Sequence, residues 1–218
     1  MEKQQLLDHL KSFLTPRRNK LFKEVLSKRT NYFTVVTQDV HQLHNTSAVI
    51  RSCDVFGIQN IHVIEERQPR RIDKEIAMGA QKWVDVNRYN STKDCINSLK
   101  EKGYQIVATT PYGDARDLEN FEISKPSAVL FGTEKAGLSE EVLKEADVRL
   151  KIPMHGFTES LNISVSAAII LQSLTSRLHH SKQSWELTPE EKLEIEFNWA
   201  KKCIKNSEQL LEQYKSSR

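Results

Sequence analysis

Short apolar segments alternate with helix-forming segments along the middle of this chain, and this alternation constrains the fold more than any other feature. The segments that predict strands are Phe33–Thr37, Asn60–Ile64, Trp83–Val86, Gln105–Thr109, Ala128–Phe131 and Val148–Ile152. Helices are predicted between or after them, from the Asn45 region to Gly57, from Ser91 to Lys102 and over residues 164–180. Strands that alternate with helices imply a parallel sheet, so we expect an α/β fold with helices on both faces of the sheet.

The two ends of the chain have the patterns of helical extensions. Residues 2–13 carry apolar side chains at helical spacing, and a second short helix is predicted after Pro16. A longer helix is predicted from Pro189 to about Tyr214. The expected division is an N-terminal extension (residues 1–30), a central domain (residues 31–180) and a C-terminal extension (residues 181–218).

The composition is typical of a soluble globular protein. Of the 218 residues, 38% are hydrophobic and 28% are charged, which argues against general disorder. The longest apolar run is far too short to span a membrane, and the N-terminus lacks a signal-peptide pattern. Cys53, Cys95 and Cys203 have neither metal-ligand nor redox spacing, so we expect reduced thiols in a cytoplasmic protein. We also expect no metal site, because ligand spacing is absent among His41, His44, His62 and His155.

Positive charge is concentrated near the N-terminus. Residues 1–33 contain eight Lys or Arg and three Asp or Glu, whereas the whole chain has a net charge of only +3. A basic arm on a slightly acidic core suggests that a polyanion docks there. The alternative is that these cations are simply the solvated face of a helix. The candidate phosphate-binding residues are Arg17, Arg18, Lys20 and Lys28.

Residues 152–164 are the most informative segment. A strand leads into a loop broken by proline and glycine, and the loop carries Ser160 and Asn162 directly into a helix of small residues. A helix start offers free backbone N–H groups, which together with polar side chains can bind a ligand. The alternative is that Ser160 and Asn162 are plain helix caps.

The segment 128–139 combines a strand, a turn and a helix start. The strand ends at Gly132, Glu134 follows in the turn, and Ser139 is predicted to cap a helix that begins with two acidic residues. Glu134 therefore has two interpretations. It orients a substrate or another side chain, or it is an ordinary carboxylate at a helix start.

The segment 40–51 begins a third pattern of this kind. Its helix is predicted to be capped by Asn45 or Thr46 and to end at Gly57. Arg51 lies next to the apolar face of that helix. We therefore expect Arg51 to be partly sheltered rather than freely solvated.

Together the three segments resemble the signature motifs of the SPOUT class of RNA methyltransferases, and more closely those of the TrmH family of tRNA ribose 2′-O-methyltransferases. The resemblance covers roughly residues 30–180 well and the two ends loosely. The motifs, in the family's order and at its spacing, are Asn45-x-Ser-Ala-x-x-Arg51, Phe131-Gly-x-Glu-x-x-Gly-Leu-Ser139 and Ile152-Pro-Met-x-Gly-x-x-x-Ser-Leu-Asn-x-Ser164. The resemblance implies a C-terminal trefoil knot, a homodimer, and S-adenosylmethionine as the cofactor.

The resemblance also implies where the cofactor binds. The glycine-rich fingerprints of dinucleotide and P-loop sites are absent, and open α/β sheets bind ligands beyond the carboxyl ends of their strands. Thr109, Gly132 and Ile152 fall at such ends, and with Leu161 they are the candidate cofactor contacts. A valine in place of Gly132 is expected to crowd the cofactor without unfolding the chain.

The same resemblance marks Arg51, Asn45, Glu134, Ser160 and Asn162 as catalytic candidates. Methyl transfer from a sulfonium requires positioning of two reactants and removal of one proton from the ribose 2′-hydroxyl. Arg51 acts either as the base, helped by RNA phosphate, or as a bidentate phosphate ligand that stabilises the developing oxyanion. Asn45 would position ribose or phosphate, and Ser160 and Asn162 would bridge cofactor and RNA.

The resemblance implies transfer to the guanosine at position 18 of the tRNA D-loop. The helical extensions favour this substrate, because relatives that modify the wobble ribose are little more than the knotted core. Two alternative functions remain open at this point. One is a ribosomal-RNA 2′-O-methyltransferase, and the other is a knotted RNA-binding protein that lacks transfer activity.

Overall fold

The computed structural model describes residues 2–40, 42–66 and 79–217, so His41 lies outside the described residues. The strands are β1 Phe33–Gln38, β2 Asn60–Ile64, β3 Asp85–Tyr89, β4 Gln105–Thr109, β5 Arg116–Asp117, β6 Ser127–Phe131 and β7 Val148–Lys151. The helices are α1 Glu2–Ser12, α2 Pro16–Leu26, α3 Leu43–Val55, α4 Thr92–Glu101, α5 Glu140–Glu145, α6 Ile163–His179, α7 Pro189–Cys203 and α8 Ser207–Ser216. The chain forms two compact units: Thr30–Trp185, and the two chain ends, Met1–Arg29 with Glu186–Arg218.

The unit Thr30–Trp185 is built on a seven-stranded sheet with the order β3-β2-β1-β6-β4-β7-β5. All of its pairings are parallel. In the centre of the sheet, Val35 of β1 pairs with Ile61 of β2 and with Val129 of β6, and all three side chains are buried. The central strands are apolar on both faces because both faces are covered. The predicted parallel sheet is confirmed.

Apolar layers cover the two faces of this sheet. Successive residues of a strand point to opposite faces. On one face, Val35 belongs to a cluster with buried side chains of α3 and α6. On the other, Val36 belongs to a cluster with buried side chains of α4 and α5. Helices therefore lie on both faces, as the alternation of elements predicts.

The two outer strands of the sheet differ from the prediction. β3 begins at Asp85 because Trp83 and Val84 close the turn after the 3₁₀ helix Ala80–Lys82, with both N–H groups donating to the Ala80 carbonyl. The sequence does not predict β5. A two-residue strand is too short to leave a periodic pattern in the sequence.

The start of α3 also differs from the prediction. The N-cap position is Gln42, which makes no side-chain capping bond, and Asn45 and Thr46 lie inside the helix. The prediction that one of these two residues caps α3 is therefore wrong. The Asn45 side chain therefore does not cap α3, and its amide is available for hydrogen bonds to other segments. Gly57 follows α3 with a φ of 77°, as expected of a glycine that ends a helix.

The unit formed by the chain ends contains α1, α2, α7 and α8. Its core includes Phe22 of α2, whose ring packs edge-on against Trp199 of α7 with 5.5 Å between centroids. Arg29 belongs to this core, because its side chain is 1% exposed and its guanidinium lies 5.4 Å from the Trp199 ring. Within the described ranges, every helix falls short of the length and hydrophobicity that a membrane crossing requires.

The single helix predicted from Pro189 to about Tyr214 is two helices in the structure. α7 ends at Cys203 and α8 begins at Ser207. Between them Asn206 has a φ of 57°, a left-handed conformation that asparagine adopts more readily than most residues. The apolar spacing continues through the break, which is why the sequence pattern does not reveal it.

Candidate active site

A cavity of about 410 Å³ lies at the carboxyl ends of β4, β6 and β7. Its volume is within the range of small-molecule sites. The walls come from residues 109–113, from residues 131–138, and from β7 with the loop and helix start that follow it. The four predicted cofactor contacts all line this one cavity: Thr109, Gly132, Ile152 and Leu161.

The turn after β6 forms one wall of the cavity and is closed by its own backbone. Thr133 and Gly137 exchange two hydrogen bonds of 2.9 and 3.0 Å, and Gly137 has a φ of 68°. At Gly132 the backbone passes so close that an added Cβ would lie 2.1 Å from the carbonyl carbon of Gly137. A valine in place of Gly132 therefore collides with the turn itself, and the expectation that it only crowds the cofactor is wrong.

Asn45, Glu134 and Asn162 form a hydrogen-bonded chain that joins the three motif segments. The Asn45 side chain is 2% exposed. Its Nδ2 donates to Glu134 Oε1 at 2.5 Å, and its Oδ1 accepts from Asn162 Nδ2 at 3.3 Å. Asn162 also caps α6, because its Oδ1 accepts the backbone N–H of Ser164 at 2.8 Å. Capping and contact with the other motifs are thus two simultaneous roles of Asn162.

Ser160 reaches the cavity from the loop before α6. It lines the cavity beside Leu161, and both residues are exposed. The structure does not bring Ser160 into the chain of Asn45, Glu134 and Asn162. The loop side of the cavity is therefore open to solvent, whereas the turn side is closed by hydrogen bonds.

Arg51 lies on the outer face of α3. Val49, Ile50 and Cys53 are fully buried, whereas Arg51 is exposed and Val55, one turn later, is 68% exposed. The expectation that Arg51 is partly sheltered is wrong, because the buried stripe of α3 leaves the opposite side in solvent. Among the described residues, none makes a hydrogen bond or an ion pair with its guanidinium.

Sequence reasoning missed three cations in the cavity lining, namely Lys135, Arg149 and Lys151. Arg149 and Lys151 are alternate residues of β7, so they share one face of the strand, and this alternation is the signal that could have identified them. Lys151 lies 3.7 Å from Asp117. Glu134 is the acidic residue among those that line the cavity, so the lining is electropositive and suits a ligand that carries a carboxylate.

The predicted phosphate-binding cations lie in the unit formed by the chain ends. Arg17, Arg18 and Lys20 are exposed on α2, and Lys28 is exposed just after it. Lys20 pairs loosely with Glu24 at 3.8 Å. Within residues 2–40, 42–66 and 79–217, no three His, Cys, Asp or Glu side chains cluster as a metal site would require.

Residues 32–172 match the model of the SpoU rRNA Methylase family. The chain is similar to the tRNA (guanosine(18)-2′-O)-methyltransferase of Borreliella burgdorferi, with 40% identity over 197 residues that cover 90% of each protein. The structure is similar to that of the A. aeolicus TrmH/SpoU tRNA modifying enzyme, with a TM-score of 0.78 and 30% identity over 87% of this chain and 98% of that one. It is also similar to the AdoMet-bound rRNA methyltransferase from Sinorhizobium meliloti, with a TM-score of 0.62 and 27% identity over 72% of this chain and 60% of that one. The protein therefore belongs to the SpoU methylase family.

Proposed function

We propose that the protein transfers the methyl group of S-adenosylmethionine to the ribose 2′-hydroxyl of guanosine 18 in tRNA. The relative from Borreliella burgdorferi carries this activity in its name and matches nearly the whole chain. The observation that carries the proposal is the meeting of a ligand cavity with the hydrogen-bonded chain of Asn45, Glu134 and Asn162. Glu134 and Ser160 line the same cavity as the cofactor candidates, and Asn45 and Asn162 are joined to Glu134 by hydrogen bonds.

The cavity has the chemistry that S-adenosylmethionine requires. Leu138, Ile152 and Leu161 supply apolar surface for the adenine, and Lys135 or Arg149 supplies positive charge for the carboxylate. When bound, the cofactor supplies an activated methyl group on a sulfonium. The S. meliloti relative was solved with AdoMet bound, which supports the same cofactor here.

Arg51 is the group that meets the RNA in this proposal. Its planar guanidinium binds a phosphate and stabilises the oxyanion that develops as the 2′-hydroxyl loses its proton. Its exposure supports this role. Among the described residues nothing pairs with the guanidinium, so a phosphate can bind it without displacing a protein group. The alternative role as a base is less well supported, since solvent around a guanidinium stabilises its charged form.

The remaining candidates act around the cavity. Glu134 and Asn162 are held through Asn45, so the three motif segments keep a fixed relation. Ser160, which faces the cavity from the loop before α6, bridges cofactor and ribose. The N-terminal extension, residues 1–30, docks tRNA phosphates through its exposed cations, and the central domain, residues 31–180, carries out the transfer in the cytoplasm, where tRNA is found.

We also propose a homodimer that pairs through the outer face of α6. Val165 and Ile169 lie one turn apart and are 45% and 39% exposed. Apolar side chains exposed in one stripe mark a contact surface. A second copy of the chain is the expected occupant, because the family resemblance implies pairing of the knotted halves.

A trefoil knot in the C-terminal half belongs to the same proposal. β7 pairs with β4, on one side of β6, whereas α6 packs on α3, which follows β1 on the other side of β6. The chain must therefore return across the sheet between β7 and α6. Stretching the protein by its ends in an optical trap should give an extended length shorter than that of a free chain of 218 residues, because a tightened knot retains chain.

The substrate is tested with purified protein, labelled S-adenosylmethionine and tRNA transcripts. We expect label on a transcript with guanosine at position 18 and none on a matched transcript with 2′-deoxyguanosine there. Label on ribosomal RNA in place of tRNA would favour the ribosomal alternative. Binding of the cofactor without transfer to either RNA would favour the non-catalytic alternative.

A further inference from the structure

Gln38 is a buried amide at the last position of β1, where the strand ends beside the turn after β6. Its side chain is 4% exposed. Its Nε2 donates to Thr92 Oγ1 and to Ser139 Oγ, both at 2.9 Å. Its Oε1 accepts the backbone N–H of Ser139 at 2.9 Å. One side chain therefore uses both ends of its amide, and all of its partners belong to other segments.

The partners of Gln38 lie at the starts of two helices. Thr92 is the first residue of α4, and Ser139 is the N-cap of α5, where its Oγ accepts the backbone N–H of Val142 at 3.4 Å. Ser139 directly follows the turn that lines the cavity. Gln38 itself is not among the lining residues, so any effect it has on a bound ligand is transmitted through the turn.

A second contact strengthens this corner. Asp39, the next residue, has a φ of 47°, a conformation that is uncommon for residues other than glycine. Its Oδ1 accepts the backbone N–H of Glu66 at 3.0 Å, and the Glu66 carboxylate accepts the backbone N–H of Thr92. These hydrogen bonds join the end of β1, the residues after β2 and the start of α4, so they fix the backbone on which Gln38 sits.

The turn from Gly132 to Ser139 is consequently held at two points. Asn45 holds it at Glu134, on the side of the catalytic candidates. Gln38 holds it at Ser139, on the side remote from them. The backbones of Gly132 and Gly137 also lie in close contact, because a Cβ added to Gly132 would be 2.1 Å from the Gly137 carbonyl carbon. We therefore expect a shift of Ser139 to be passed to the cavity wall.

We infer that Gln38 is a positioning residue for the cofactor: it holds the turn 132–139 in the shape that binds S-adenosylmethionine. This inference rests on the proposed function, since it names a residue that supports the proposed cofactor site. It assigns Gln38 to cofactor affinity and not to RNA binding or to the transfer step.

The test is Gln38→Leu, measured by calorimetric titration of S-adenosylmethionine without RNA. The substitution removes the acceptor of the Ser139 N–H and the amide that donates to the buried Thr92 hydroxyl and to the half-buried Ser139 hydroxyl. The loss of a buried hydrogen-bond partner typically costs about tenfold in an equilibrium constant. We expect the dissociation constant of the cofactor and its KM to rise by about tenfold. The affinity for tRNA and kcat at saturating cofactor should stay close to those of the wild type.

Gln105→Leu is the matched control. Gln105 is also a buried glutamine, 6% exposed, and its Nε2 donates to Ser127 Oγ at 2.7 Å. It lies at the start of β4, at the opposite edge of the sheet from the cavity. Gln105→Leu should lower the unfolding temperature without weakening cofactor binding. An equal rise of KM in both variants would mean a general loss of stability and would overturn the inference.

A rescue variant separates positioning from simple burial. Gln38→Glu keeps an acceptor for the Ser139 N–H, and both hydroxyls can turn to donate to it, so we expect cofactor affinity near the wild-type value. If Gln38→Leu does not fold, Gln38→Asn retracts the amide by one methylene and should give the same selective loss. Unchanged cofactor affinity in the folded variant contradicts the inference, whereas absence of methyl transfer by the wild type contradicts the proposed function alone.

Discussion

The cavity at the ends of β4, β6 and β7 and the outer face of α3 are organised in opposite ways. The cavity wall is held by paired backbone hydrogen bonds between Thr133 and Gly137 and by side chains on both flanks. Arg51, on the outer face of α3, is exposed and has no hydrogen-bond partner among the described residues. The cavity wall is thus preorganised within one chain, whereas Arg51, on the proposed function, gains its partner only when RNA binds.

Removal of Arg51 should have the largest effect, and this effect should fall on methyl transfer and not on cofactor binding. In Arg51→Ala, kcat should fall by about a hundredfold to a thousandfold, the usual loss for one oxyanion-stabilising group. The affinity for S-adenosylmethionine should not change. Arg51→Lys should also be badly impaired, because lysine lacks the planar fork.

The control for this variant is Arg88→Ala. Arg88 is another exposed arginine; it lies on β3 and pairs with Glu65 at 2.6 Å. It should keep wild-type turnover. Retention of about a third of wild-type turnover by Arg51→Ala, instead of the loss expected of an oxyanion stabiliser, would make Arg51 a structural residue and remove the contrast.

Asn45 joins the cavity wall to the start of α3, the helix that carries Arg51, so its substitution should affect both regions. Asn45→Asp places a carboxylate where the amide nitrogen now donates to Glu134, so repulsion replaces a hydrogen bond. We expect kcat/KM to fall by about tenfold to a hundredfold and cofactor affinity to fall with it. Gln42→Ala removes only a 3.3 Å contact with Asn45 and should be nearly silent. A loss confined to RNA-dependent steps would contradict the link.

The exposed cations on α2 and just after it should contribute to RNA binding alone. Alanine in place of Arg17, Arg18, Lys20 and Lys28 should lower tRNA affinity, and the dependence of log K on log salt should become shallower by up to about 0.9 for each lost phosphate contact. Neutralising four other exposed lysines, Lys125, Lys182, Lys205 and Lys215, should leave the slope nearly unchanged. An unaltered slope in the first variant would identify these cations as a solvated face.

The outer face of α6 is tested by a charge. Ile169→Arg should convert a dimer into a monomer in light scattering, because an arginine cannot be buried there without a partner. Ser176→Arg lies on the same exposed stripe two turns further along, in its polar half, and should keep the dimer. A monomeric mass for the wild type would contradict the proposed assembly.

The smallest effect concerns stability and lies outside both regions. Burial, with a smaller contribution from the charge of Lys102, lowers the pKa of His62 to about 4 from 6.5. The unfolded chain therefore takes up a proton that the folded chain refuses, so stability falls as the pH drops from about 6.5 to about 4 and then levels off. At pH 5 the loss is about 2 kcal/mol.

His62→Gln should flatten this pH dependence in urea unfolding, and His155→Gln, at an exposed position, should not. An equal acid loss in all three proteins would assign it to other groups. If activity falls with pH along the same curve as the unfolding transition, the loss of activity is caused by unfolding and not by a change at either site.

The sequence predicts some of these features better than others, for physical reasons. β1, β2, β4 and β6 are largely buried on both faces, and such apolar runs stand out in a sequence. The exposure of Arg51 is not readable in this way, because the covered face of α3 depends on α6, a helix far away in the chain. Gln38 has no sequence signal at all: its partner Ser139 is 101 residues away, and a single buried amide has no period.

The unit formed by the chain ends combines helices from both ends of the sequence, and this has a consequence for biosynthesis. Phe22 leaves the ribosome long before Trp199, against which it packs, because 176 residues separate them in the sequence. The apolar side of α2 is therefore uncovered until α7 has been made, and a nascent chain stalled before α7 should be a ligand for chaperones. For the same reason, deletion of α1 and α2 would strip Trp199 of its cover, so point substitutions on α2 are the cleaner probe of RNA binding.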